Sequence, residues 1–208
     1  MVGLRERKKQ RTRRALVHAA LRLFNEKGYE ETTIAEIAAE AEVSTRTFFS
    51  YFASKEDVIF HDSQERTGGA LALLHDRMPG EPVAALLLRV VQSSLDWAGR
   101  EDNFGLEEAQ ARLDLMMTVP ALQARALHLL FDSQLQLARA LREAYPDELD
   151  LVESAAVVGS LIGAVKLAAM ASLTGGDPSE QVWEAVRRAA EIAVRGLHDL
   201  PGSGRGAA

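Results

Sequence analysis

Three consecutive residues, Thr45, Arg46 and Thr47, place hydrogen-bonding side chains at the edge of an otherwise apolar run. Arginine can donate a bidentate pair to guanine, and threonine offers a hydroxyl to a phosphate or a methyl to a thymine. Tyr51 and Lys55 follow, with donors suited to phosphate oxygens, and Arg11, Arg13 and Arg14 precede them near the chain start. Contacts of that kind set register and orientation on a nucleic acid. This is the chemistry of holding a polyanion, not of breaking a bond.

Short rigid elements must carry such side chains. Leu16, Ala20, Leu23 and Phe24 recur at helical spacing, and Gly28 stops that first helix. Thr33-Ile-Ala-Glu36 has the form of a capping box. Ile34, Ile37, Ala38 and Ala41 then form a short apolar face, and Ser44 is a good N-cap for a third helix. Two short helices three or four residues apart fit a helix-turn-helix. Ala38 and Ala41 let them cross closely, and Val43 fills the angle between them. Phe48 and Phe52 belong to the core. Phe49 fits either the core or the exposed face.

The segment from about Arg11 to Phe60 resembles the DNA-binding domain of the TetR family. The resemblance rests on Thr-Ile-Ala-Glu-Ile-Ala, then Val-Ser, then Phe-Phe-Ser-Tyr-Phe-Ala-Ser-Lys-Glu-Asp-Val. It implies that Thr33 and Ser44 meet phosphates at helix N-termini. It implies that Thr45, Arg46 and Thr47 face bases, and that Tyr51 and Lys55 anchor phosphates. Arg11, Arg13 and Arg14 would then approach the backbone or minor groove from an N-terminal arm. Two positions depart from the family pattern. Glu42 stands where the turn usually has glycine. Phe49 stands where the recognition helix usually has tyrosine, so a phenolic contact is lost and the ring is left to pack on a sugar or a thymine methyl.

Charge is unevenly spread. The chain of 208 residues has a net charge of −6. Residues 1–60 hold 11 basic and 9 acidic residues, a balance of +2, so the remainder carries −8. A basic end on an acidic body suggests one face for a polyanion and another for something else. The chain has no cysteine, which excludes disulfides and thiolate metal sites. The five histidines, at 18, 61, 75, 128 and 198, show no metal-ligand spacing. No phosphate-cradling glycine loop or nucleophile elbow is present. An enzyme is therefore not expected, and neither is a cofactor or a metal. No apolar run follows the N-terminal charges, so a secretory signal is not expected and a cytoplasmic location is.

The rest reads as helix, giving an all-α fold of about nine helices. An N-terminal three-helix helix-turn-helix domain with its basic arm takes residues 1–53. A larger helical ligand-binding and dimerisation domain takes residues 54–200, and a disordered tail takes 201–208. Ser54-Lys-Glu-Asp57 starts a fourth helix running to about Met78, with Gly68-Gly69 inside it. That pair marks a hinge, a close packing contact or a helix break. A helix around residues 150–173 is apolar nearly all round, too broken by Glu153 and Lys166 for a membrane span, and is expected to be buried. With the last helix it forms a homodimer interface through Ala155, Gly159, Gly163, Val182, Val186, Ala189 and Ala193. Trp97, Phe104, Met116, Met117, Leu127 and Phe131 are candidates for an apolar ligand pocket, with Arg112, His128 and Gln134 as polar partners. The resemblance extends loosely to the subgroup that takes acyl-CoA-like or other apolar small-molecule effectors. The expected partners are thus a double-stranded DNA operator, a second copy and such an effector, with no membrane. The competing expectation is a helical ligand-storage or protein-interaction protein that no longer binds DNA.

Overall fold

The computed structural model describes residues 3–98 and 106–196. Phe104 and the 201–208 tail lie outside the described residues. Among those residues there are ten helices and no strand.

They fall into two compact units. The first comprises residues 1–63 and 107–127. It contains α1 (Leu4–Lys27), α2 (Ile34–Glu40), α3 (Thr45–Phe49) and α4 (Lys55–Ile59), most of α7 (Leu106–Thr118) and the start of α8 (Pro120–Ala144). Its buried side chains include Leu16, Val17, Phe24, Ile37, Phe48, Phe52, Val58, Ile59, Leu113 and Leu122. The periodicity of α1 predicts the first of these, because one stripe of a 3.6-residue helix must face inward. Gly28 ends α1 at φ 96°, and its N–H donates to the Phe24 carbonyl. That backbone angle favours glycine.

The second unit comprises residues 64–106 and 128–208. Its helices are α5 (Ser63–His75), α6 (Val83–Ala98), the remainder of α8, α9 (Leu151–Thr174) and α10 (Ser179–Arg195). Helix α10 packs chiefly on α9 and also on α6. The core holds Leu74, Leu86, Leu87, Leu141, Tyr145, Val157, Val158, Leu161, Ala190 and Val194. Helix α9 opens on a capping box that the sequence pattern did not single out. Asp150 accepts from the Glu153 N–H, and the Glu153 carboxylate accepts from the Asp150 N–H.

Three expectations need correction. The boundary expected after residue 53 is not where the chain divides. Helix α4 buries Val58 and Ile59 in the first unit, and residues 107–127 join that unit from far along the sequence. The expected fourth helix is two helices. The chain leaves helical geometry after α4, with Phe60 at φ −103° and ψ 20°, and restarts at Ser63. Helix α9 is not buried all round. Ser154, Val157, Val158 and Leu161 face the core, but Val152 is 77% exposed and Leu167 66% exposed. By length and composition alone α9 is apolar enough to cross a membrane.

Candidate nucleic-acid interface

The helix-turn-helix is built by local hydrogen bonds that its residue types dictate. Thr33 Oγ1 accepts from the Glu36 N–H at 3.3 Å, while Glu36 Oε2 accepts from the Thr33 N–H at 2.9 Å. The predicted capping box is therefore complete. Ser44 Oγ accepts from the Thr47 N–H at 3.1 Å and lies 2.9 Å from Thr47 Oγ1. Between these helices Glu42 takes φ 54°, and the Val43 N–H closes the turn on the Ala38 carbonyl at 2.9 Å. A non-glycine residue in this left-handed region is strained.

On α3 the split is clear. Phe48 is fully buried and Phe49 is 57% exposed. Thr45 and Arg46 are exposed, and Thr47 is half-buried with its hydroxyl beside Ser44. The outward face therefore consists of Thr45, Arg46 and Phe49. Tyr51 is half-buried beyond it.

Acidic residues of α2 sit close by and would repel phosphate if unopposed. Helix α1 opposes them. Lys27 pairs with Glu36, and Arg22 pairs with Glu40 and with Glu26. The Lys27 ammonium, with help from Thr33, holds the Glu36 carboxyl down to about 2. The Arg22–Glu26 pair is legible as an i, i+4 spacing. The pairs between helices are not, because only the tertiary fold brings them together.

Several expected DNA contacts face inward instead. Lys55 Nζ donates to the Tyr29 carbonyl at 2.7 Å and lies 4.1 Å from the centroid of the Tyr29 ring. Tyr29 in turn donates to Glu56 Oε1 at 2.7 Å, and burial followed by that carboxylate raises its phenol above the ordinary range. Lys55 thus serves the loop after α1. Arg13 donates to the His61 carbonyl. Arg14 is half-buried and Arg11 is exposed. The basic start is no loose arm: α1 is continuous from Leu4, so these side chains are carried on a helix.

The candidate ligand residues are divided between the two units. Arg112, Met116, Met117 and Leu127 belong to the first unit, and Trp97, His128, Phe131 and Gln134 to the second. Arg112 is already engaged by a carboxylate, in a two-pronged pair with Asp62 at 2.7 and 3.3 Å. The Trp97 indole donates to Glu65 at 3.2 Å. Met116 and Gln134 are half-buried, while Met117, Leu127, His128 and Phe131 are exposed. Two concavities are described, and neither is lined by these residues. One lies between α1 and α2 around His18, Arg22, Glu40 and Glu42, the other around Trp183.

Of the expected dimer residues, Val182 and Val186 are buried in their own chain, so they are core and not contact residues. Ala189 and Ala193 are half-buried, and Ala193 packs against its own core. Ala155 is exposed. A Cβ built on Gly159 or Gly163 would meet nothing within 4 Å.

A capped helix-turn-helix with a Thr-Arg-Phe face, in a chain made only of helices among its described residues, defines a DNA-binding regulatory protein. Residues 16–61 match the sequence profile of the bacterial regulatory proteins of the tetR family. The HTH-type transcriptional regulator TcmR of Streptomyces glaucescens is 35% identical over 150 residues, which is 71% of this chain and 66% of TcmR. The match thus spans just under two thirds of that relative. The fold resembles the fatty acid degradation regulator FadR from Bacillus halodurans, with TM-score 0.59 and 20% identity over 89% of this chain and 96% of that one. It also resembles FadR from Bacillus subtilis, solved in complex with stearoyl-CoA, with TM-score 0.57 and 19% identity over 89% of this chain and 99% of that one. The chain belongs to the TetR family of transcriptional regulators.

Proposed function

We propose that the chain acts as a homodimeric repressor that binds a near-palindromic operator and is released by a small, largely apolar ligand. The observation that carries the DNA half is the exposed Thr45, Arg46 and Phe49 face of α3. Beside it, the α2 acids Glu36 and Glu40 are paired with bases of α1. Arg46 would engage guanine, and Arg11 on the basic start of α1 would engage phosphate. A two-fold pair of such faces doubles the contacts and demands a near-palindrome.

The dimer is supported by the outer face of α9, where Val152, Ala155, Ala156, Ser160 and Leu167 lie exposed on one side of the helix. An acyl-CoA-like or other long apolar effector is supported by likeness of fold to FadR proteins solved with stearoyl-CoA and lauroyl-CoA. Work on duplex DNA implies the cytoplasm and requires no catalysis.

Selection of binding sites from random duplexes, with the purified chain at roughly physiological salt, tests the proposal. Enrichment of one near-palindrome is expected, and acyl-CoA added to the bound duplex is expected to release it. A folded, dimeric protein that enriches no sequence would overturn the operator reading in favour of a ligand-storage or interaction protein.

A further inference from the structure

Helix α3 presents one outward side chain with no polar atom. Phe49 is 57% exposed, although the neighbouring Phe48 is completely buried. The two rings meet edge to face, with centroids 5.6 Å apart and planes at 85°. Phe48 is itself 5.6 Å from the Phe52 ring, which is also buried. Phe49 therefore rests on a fixed aromatic base. Covering it costs little lost freedom, since aromatic side chains have few rotatable bonds.

Its neighbours define what covers it. Phe49 lies four residues after Thr45 and three after Arg46, so the three share one face of the helix. An arginine and a threonine suit base edges in a major groove. In that groove the apolar feature that a base displays is the thymine 5-methyl group. A phenyl ring has no donor for phosphate and no acceptor for an amino group. On a base, the feature that suits it is therefore the methyl.

We propose that Phe49 reads a thymine through its 5-methyl group in each half-site, next to the base engaged by Arg46. This rests on the reading that α3 enters the major groove, and it adds a base identity carried by a side chain with no polar atom.

The test uses the duplex enriched by selection, resynthesised with single thymines replaced by deoxyuridine, which removes only the methyl. For the unaltered full chain, a replacement in one half-site weakens binding about fourfold, and the symmetric pair about fifteenfold, as expected for uncovering one methyl at a time. Phe49→Ala binds the thymine duplex more weakly and no longer distinguishes the deoxyuridine form. Arg46→Ala keeps the deoxyuridine penalty. Because Phe49 is exposed, its truncation leaves the fold intact, which circular dichroism checks. A tight duplex whose affinity stays within twofold at every deoxyuridine position overturns this inference alone, and points to a sugar contact. The same holds if Phe49→Ala keeps the full penalty. A chain that enriches no duplex overturns this inference together with the operator reading.

Discussion

Glu42 occupies a left-handed turn position at φ 54° with a side chain that prefers to avoid it. The sequence pattern marks this residue, because the family places glycine there and only the backbone angle explains why. Glu42→Gly should raise stability by about 1 kcal/mol, the relief of strain being partly offset by a freer unfolded chain. Urea unfolding measures it, and a loss of stability would mean that the Glu42 side chain contributes more than its backbone costs. Lys55 teaches the opposite lesson. Its motif position implies a phosphate contact, yet its ammonium is spent on the Tyr29 carbonyl and ring. Lys55→Met should therefore destabilise the fold by about 1 kcal/mol, through a lost charge-assisted hydrogen bond and cation–π contact. The salt dependence of DNA binding should stay the same. Arg11→Ala, on the exposed side of α1, should instead leave stability alone and lower the slope of log affinity against log salt by about 1. If Lys55→Met lowered that slope, Lys55 would be a phosphate ligand after all.

Helix ends were legible wherever a local signal sets them. Gly28, the Thr33 box and the Ser44 and Ser54 caps all terminate or start helices as their chemistry requires. The interruption between α4 and α5 was not, because no glycine or proline causes it. What holds it is distant. Arg13 takes the His61 carbonyl, and Arg112, fifty residues away, takes the Asp62 carboxylate. Both contacts stay within the first unit, which is why residues 107–127 belong to it. The glycine pair that the sequence offered as a break lies instead inside the continuous helix α5. A Cβ built at Gly68 or Gly69 meets nothing within 4 Å, so close packing does not require them either. Replacing both with alanine should stabilise the protein by about 1 kcal/mol per site, from helix propensity alone. Thermal unfolding of the double variant checks this. Induction by ligand then separates the remaining roles. Altered induction in this more stable protein would support a hinge, and unchanged induction would make the glycines incidental.

The whole molecule presents a problem that one chain does not solve. Val152, Leu167 and Ile192 are 77%, 66% and 61% exposed on the two helices that otherwise build the core of the second unit. Large apolar side chains left exposed on core-forming helices suit a contact face. The hydrophobicity of α9 was plain in the sequence, but which half of it faces inward was not, since a helix apolar on every side has no pattern to orient it. Orientation comes from packing. Ser154, Val157, Val158 and Leu161 go to the core, and the stripe through Ala155, Gly159 and Gly163 is left outside. Both glycines have open space where a side chain would stand, which permits another helix to approach closely. A two-fold copy is the simplest cover, because the same apolar stripe then meets itself. Leu167→Glu places a charge in that seam without disturbing the interior. It should yield a folded monomer by sedimentation velocity, with helix content unchanged. Binding to a two-half-site duplex should fall by more than tenfold, approaching that for a single half-site. Val182→Glu should instead unfold the second unit, because that side chain is buried in its own chain. A Leu167→Glu protein that remained dimeric would place the contact on a different face and leave the exposed stripe of α9 to another partner.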